Sequence, residues 1–366
     1  DQASYDLLAK ARPGLFRAYG QGGSRDRSNI LALNPTNAAS FGSRQFGLPA
    51  ELASFQSMFE AGEMAIVGNV GPLIQPTSRP DLEKATSHND QQSTWMSLGV
   101  EGAQYGWGGA FADAAIRANS TMNPLYAMVS AGPNDVFLSG TEASQFTTSS
   151  AGAQQVNIVD EPYVLGAEAK YDAARRAMDD YVAKTSFSED NLYARDYISQ
   201  SGNAVINNNA YDAALSGRDG LTVEFPEKSP IAGQLKSVAR TIKIRDALNT
   251  RRQVFYVFMG DYDTHSGQTG QLPSQHSKLS AAISAFRTEM INQGVWNDVT
   301  LFTMSEFGRT TIDNGDGTDH GWGGHHFVAG GSVAGKKIYG DIPTPDLTSD
   351  TFTSTHGRLI PKVSVE

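Results

Sequence analysis

Apolar residues recur along this chain with two spacings. Between Gly47 and Gly62, Leu52, Phe55 and Phe59 repeat at the three- and four-residue intervals of one helix face. Pro49 suits the first turn of that helix and Gly62 its C′ stop. Met64–Val70 then runs apolar over the length of a buried strand and ends at the turn signal Gly71-Pro72. The pattern continues with a helix over Trp107–Ala118, a strand over Leu125–Val129 and helices over 166–184 and 189–199. Ser229-Pro230 opens another helix, carried by Ile231, Leu235, Val238 and Ile242 to about Leu248. Val254–Met259 reads as a buried strand. Leu279, Ile283, Phe286 and Met290 make a helix, Val299–Met304 a second strand and Phe327–Ala329 a third. The first forty residues, 73–95 and 202–220 show no clear period.

A strand, a helix and a strand, with both strands apolar throughout, is the pattern of a parallel sheet covered on both faces. The expected fold is therefore α/β, a central and mainly parallel sheet flanked by helices, in one domain over 1–366. Residues 132–161 are rich in Ser, Thr, Gly and Gln and form a long excursion, a hairpin or a lid over a site. No internal repeat, GxGxxG or Walker sequence is present.

Composition narrows the function. Apolar residues are 39% of the chain, enough for a sizeable core, and no run approaches the ~18–20 apolar residues of a membrane helix. The net charge of −10, with no basic patch, argues against nucleic acid as a partner. The absence of cysteine excludes disulfides, thiolate metal sites, a cysteine nucleophile and a cysteine-derived formylglycine. The chain opens at Asp1 without Met or a signal-like segment, as a mature, processed form would.

The chemistry gathers after the C-terminal strands. Val254–Met259 leads into Gly260-Asp261-Tyr262-Asp263-Thr264-His265, and Val299–Met304 into Ser305-Glu306-Phe307-Gly308-Arg309-Thr310. An Asp/Gly loop then reaches Asp319-His320-Gly321-Trp322. Ligands of open α/β sheets bind beyond the carboxyl ends of strands. Carboxylates gathered there repel one another, and a divalent cation relieves the repulsion. Mixed carboxylate and imidazole donors suit such a metal. Asp261, Asp263, His265, Glu306, Asp319 and His320 are the candidate ligands. The plainer alternative is a set of surface turns in which Asp263 caps backbone N–H groups. Earlier, Thr77 or Ser78 offers a hydroxyl nucleophile with Arg79 beside it, against a simple Pro-Thr-Ser turn. His88 is either a metal ligand or acid/base group, or part of a solvated helix start. No G-x-S-x-G elbow is present.

Gly260–His265 with Gln268, Glu306-Phe307-Gly308-Arg309, Asp319-His320-Gly321 and Gly330-Gly331 resemble a large bacterial family of unknown function. So do Gly68-Asn69-Val70-Gly71-Pro72, Pro76-Thr77-Ser78-Arg79, Ser87-His88-Asn89-Asp90 and Gly357-Arg358-Leu359-Ile360-Pro361. That family belongs to the alkaline phosphatase and sulfatase superfamily, and many members carry twin-arginine export signals. The resemblance implies an alkaline-phosphatase-like sheet and metal-assisted transfer of phosphoryl or sulfuryl groups by a hydroxyl nucleophile. By position it implies Thr77 or Ser78 as nucleophile, with Arg79 as its electrostatic partner. Asp263, His265, Glu306, Asp319 and His320 would hold the metal, and Arg79 or Arg309 the developing charge. Asp261 stands where relatives usually have Gly and competes with Asp263.

Relatives usually open with a strand ending in Gly-Gly-Asn-Asp-Gly and continue past the Ile-Pro segment. This chain begins after the first and stops soon after the second. A sheet edge left open this way would be covered by a partner strand or a second copy. The expectation is an exported, periplasmic or extracellular hydrolase of phosphate or sulfate esters, small-molecule or glycan, using Zn, Mn or Ca. The alternative is a catalytically lapsed binding or structural protein on the same fold.

Overall fold

The computed structural model describes residues 2–19, 23–42, 44–73, 87–99, 102–133, 135–150, 152–153, 173, 176–177, 180, 192–218, 220–353 and 356–365. Two helices, α1 (Gln2–Ala11) and α2 (Pro13–Tyr19), open the chain. A two-stranded ribbon follows, β1 (Leu31–Leu33) antiparallel to β2 (Phe46–Leu48). The helix expected from Gly47 begins later, as α3 (Ala53–Glu60), after a 3-10 turn at Ala50–Leu52. Gly47 belongs to the ribbon, where a side chain would strike Ile30 and the Leu31 backbone.

The architecture is mixed α/β. One sheet is built on β3 (Met64–Gly71), a strand with almost no exposed position. Along one side of it β12 (Ile338–Gly340) and β13 (Val363–Ser364) pair in parallel, one after the other. On its other side lies β11 (Gly324–Ala329), antiparallel, and beyond that β8 (Leu301–Phe302). A second sheet is centred on β4 (Met128–Ser130). Its neighbours β5 (Gln145–Ser149) and β7 (Val254–Tyr256) are both parallel to it. β6 (Gly152–Ala153) folds back on β5. Part of the 132–161 excursion is therefore built into a sheet.

The helices come where burial demands them. α5 (Trp107–Ala118) and α7 (Pro230–Lys243) match their apolar periods, and Pro230 occupies the first turn of α7. α4 (His88–Ser97) lies in a stretch whose polar composition hides it. α6 (Leu192–Leu215) continues through the ambiguous 202–215, anchored by buried Tyr211 and Leu215 against Val129 and Phe146. The helix expected at 166–184 falls almost wholly outside the described residues. α8 (Gln268–Asn292) starts well before its apolar stripe, because its first turns bury amides, Gln268 and Gln275, in place of hydrocarbon.

The main core joins α3, α7 and α8 to β3 through Phe55, Phe59, Leu235, Val238, Ile283, Phe286 and Met290. A second cluster lies under α5, around Met128, Phe137 and Tyr256. β7 and β8, linked through α8, are edge strands of different sheets and are not hydrogen-bonded to each other. Among the described residues no helix is long and apolar enough to cross a membrane.

Candidate active site

Four elements converge beyond the carboxyl ends of β7 and β8. The loop after β7 carries Asp261, Asp263 and His265, and the loop after β8 carries Glu306. A hairpin, β9 (Arg309–Asp313) antiparallel to β10 (Thr318–His320), carries Arg309, Asp319 and His320. His88 is the first residue of α4. The hairpin turns through Asn314-Gly315-Asp316-Gly317, where Gly317 N donates to Asn314 Oδ1 at 3.2 Å. Gly317 lies against the Thr264 and His265 carbonyls, where any side chain would collide, so the hairpin and the β7 loop touch backbone to backbone. Thr318 N donates to Thr264 O at 3.2 Å, and Gln268 N to Asp316 O at 3.1 Å.

The N-terminal helices hold this hairpin from behind. Arg12 Nε donates to Thr311 O at 2.9 Å and its Nη2 to Thr310 O at 2.5 Å. Gly14 N donates to Asp313 Oδ2 at 3.2 Å. Thr310 Oγ1 in turn accepts from Asp319 N at 3.1 Å. Segments about 300 positions apart in the chain thus fix one another.

The side chains form a continuous network. His265 contacts Asp263 Oδ1 through Nε2 at 3.1 Å and Asp319 Oδ1 through Nδ1 at 3.0 Å. Arg309 Nη1 donates to Asp263 Oδ1 at 2.6 Å. His88 bridges the two strand ends, with Nδ1 3.0 Å from Glu306 Oε1 and Nε2 3.6 Å from Asp263 Oδ2. The His320 ring lies 4.6 Å from that of His88 and 5.5 Å from that of His265, centroid to centroid. His320 Nδ1 and Arg309 Nη2 are buried and have no hydrogen-bond partner among the described residues. A buried unpaired group costs on the order of 1–3 kcal/mol.

Of the residues expected from sequence, His88, Asp263, His265, Glu306, Arg309, Asp319 and His320 come together. Asp261 points elsewhere: its backbone is left-handed (φ 66°) and its Oδ2 accepts from Gln275 of α8 at 3.2 Å. Thr77, Ser78 and Arg79 lie outside the described residues. Two supporting residues were not among those expected from sequence. Gln92 Nε2 donates to Glu306 Oε1 at 3.2 Å and Asn314 Nδ2 to Asp319 Oδ1 at 3.0 Å. Gln92 sits one helical turn beyond His88, the spacing that could have marked it.

The electrostatics favour ionised carboxylates. Burial opposes the charge on Asp263, but the Arg309 hydrogen bond and the proximity of His265, Arg309 and His320 outweigh it and hold its carboxyl below the usual range. Asp319 behaves alike: burial is overcome by its bonds from Asn314 and His265. Burial, then the charge of His88, lowers the basicity of His320. An imidazole that stays neutral is the form that ligates a metal. The donor set thus has the chemistry a divalent cation takes. In arrangement, the carboxylates are paired with imidazole and guanidinium, and among the described residues no three His, Asp or Glu side chains stand ready to hold an ion.

A second group of polar residues lies close by. Asn69, at the end of β3 with φ 57°, is fully buried, and its amide has no partner among the described residues. Gln91 and His326 are likewise buried with unpaired side chains. The His326 ring packs on Trp95 at 4.5 Å, and burial holds its imidazole down at about 4.

Compared with known proteins, residues 84–354 match the family described as Protein of unknown function (DUF1501). No curated protein and no solved structure matches the chain.

Proposed function

We propose that this chain, which belongs to the DUF1501 family, is a divalent-cation-dependent hydrolase of phosphate or sulfate esters on an alkaline-phosphatase-like fold. One observation carries the proposal: three imidazoles, three carboxylates and Arg309 converge from four separate elements at strand ends. Three carboxylates against one guanidinium repel an anionic substrate, and a cation reverses that field. Asp263, His265, Glu306, Asp319 and His320 would hold the cation, which polarises the ester oxygen when bound. Arg309, bonded to Asp263 through Nη1, would take up charge on the transferred group. Thr77 or Ser78 remains the proposed nucleophile with Arg79 beside it, and export to the periplasm or cell exterior the proposed location.

A second reading rests on the pairing already present. Carboxylates satisfied by His and Arg, with no three donors ready for an ion, suit a lapsed enzyme that binds without turnover. The two readings separate in one experiment. Metal content is measured after equilibration with Zn, Mn or Ca, beside hydrolysis of aryl phosphates and sulfates. The hydrolase holds about one ion or more per chain and turns over faster than a Ser78→Ala/Thr77→Val control. His265→Ala with His320→Ala empties it. No turnover above that control, with or without bound metal, supports the lapsed enzyme, and full occupancy in the double variant removes the metal assignment.

A further inference from the structure

We propose that Asn314 is a self-modification site: it loses its side-chain amide to the main-chain nitrogen of Gly315 and becomes aspartate or isoaspartate, which unpairs Asp319. The proposal does not depend on the hydrolase reading. Asn314-Gly315 is the only Asn-Gly pair in the chain, and it stands at the tip of the β9–β10 hairpin. Glycine has no Cβ, so its nitrogen swings toward the preceding side chain with the least hindrance. Around Gly315 the space is open, with no atom within 4 Å of where a Cβ would stand. Asn314, Gly315 and Asp316 are all exposed to the water that the reaction consumes.

The turn holds the electrophile and leaves the nucleophile free. Asn314 Oδ1 accepts from Gly317 N at 3.2 Å, and Asn314 Nδ2 donates to Asp319 Oδ1 at 3.0 Å. A main-chain N–H only donates and a carboxylate only accepts, so the two bonds fix the orientation of the amide. The Gly317 N–H polarises the side-chain carbonyl and holds the charge that builds on Oδ1 when Cγ is attacked, as an oxyanion-hole donor does. Gly315 N, by contrast, donates to no group among the described residues. In the reaction a bond forms between Gly315 N and Asn314 Cγ, and the Cγ–Nδ2 bond breaks. Nδ2 leaves as ammonia, taking the proton from Gly315 N. Water then opens the five-membered imide. Breaking the new bond gives aspartate, and breaking the original peptide bond gives isoaspartate, which adds one carbon to the main chain of the turn.

Asp316-Gly317, the next pair, could close the same ring, but its surroundings are the opposite. Gly317 N is occupied by Asn314 Oδ1, and the residue is buried against the Thr264 and His265 carbonyls. Asp316 Oδ2 is held by Gly267 N at 3.0 Å. The reaction is thereby confined to Asn314. Its effect passes inward through Asp319, whose Oδ1 lies between Asn314 Nδ2 and His265 Nδ1, 3.0 Å from each. Deamidation replaces the Asn314 donor with a charged acceptor. Two carboxylates so close disfavour each other, and the hairpin end that carries Asp319 and His320 is loosened.

The test incubates the full chain in warm, mildly alkaline buffer, both folded and unfolded in urea, and maps its peptides by mass spectrometry with chromatography that resolves isoaspartate. In the folded protein Asn314 should convert to both products at least tenfold faster than any other described Asn, and no more slowly than in urea. Asp316 should stay unchanged in the folded protein. An Asn314 that keeps its amide when folded but loses it in urea, or an Asp316 that isomerises as fast as Asn314 reacts, overturns the site. The mapping needs no variant. The effect on Asp319 is read by thermal unfolding of the metal-free protein. Asn314→Asp should lower the midpoint by about 2 °C or more. Asn314→Asp/Asp319→Asn, which exchanges donor and acceptor, should recover most of that loss. An unchanged midpoint in the single variant, or no recovery in the exchange, overturns the link to Asp319.

Discussion

Replacing Asp113 probes how the segment leading to β5 is held, and the structure gives the magnitude. Asp113 lies on α5 and is 3% exposed. Its carboxylate accepts from Thr141 N and Thr141 Oγ1, both at 2.7 Å, from Ala143 N at 2.9 Å and from Glu142 N at 3.0 Å. Burial opposes its ionisation, but these donors prevail and hold the carboxyl at about 2. Thr141 and Glu142 are exposed, so water can replace the bond to their donors, whereas Ala143 is buried. One dry orphan N–H costs about 2 kcal/mol and the three rehydrated donors about 0.5 kcal/mol each. Asp113→Ala should therefore lose roughly 3.5 kcal/mol of stability, and Asp113→Asn, which keeps one acceptor, about 2 kcal/mol. Urea unfolding at neutral pH measures both. The sign with pH follows from a folded-state value below the unfolded one. The contribution is complete above the unfolded carboxyl range, near ~3.9, and is lost as pH falls toward about 2. The gap between wild type and the Asn variant should be flat near neutrality and shrink in acid. A loss under about 1 kcal/mol for Asp113→Ala, or a gap that widens in acid, would refute the reasoning.

Arg12→Ala removes both guanidinium bonds behind the β9–β10 hairpin. It should lower stability by about 2–3 kcal/mol and weaken metal uptake. Thermal unfolding and a metal titration check this, and unchanged values in both would contradict it. The His276 imidazole is held at about 4 by burial and then by Arg25, with Glu51 opposing. Its folded value lies below the unfolded one near ~6.5. Stability should therefore be full above that range and decline as pH falls toward about 4, at up to about 1.4 kcal/mol per pH unit. His276→Gln should flatten the slope in urea titrations across that window, and an identical slope would exclude His276 as its source.

Much of the site was legible because its residues follow strands whose apolar character stops abruptly. Asp263 and His265 follow closely on the apolar run Val254–Met259 and Glu306 on the run Val299–Met304, and Asp319-His320 ends a Gly/Asp turn. His88 was visible as a candidate, but its place between Glu306 and Asp263 was not, since nothing local says which loops it meets. Asp261 illustrates the limit. Spacing made it an equal of Asp263, yet a left-handed backbone turns its carboxylate to Gln275.

The sequence by itself determined the elements whose stability comes from one apolar face or a continuous apolar run: β3, α5, α7 and the apolar half of α8. Burial acts residue by residue, and its period is written locally. Only the tertiary structure decided the rest. It made β11 antiparallel to β3, placed β7 and β8 in different sheets, and ordered the N-terminal helices. It also buried the polar start of α8. These features depend on hydrogen bonds and close backbone contacts between distant segments. A polar side chain carries the same letter whether it meets water or a carbonyl some 300 residues away, so no local pattern records them.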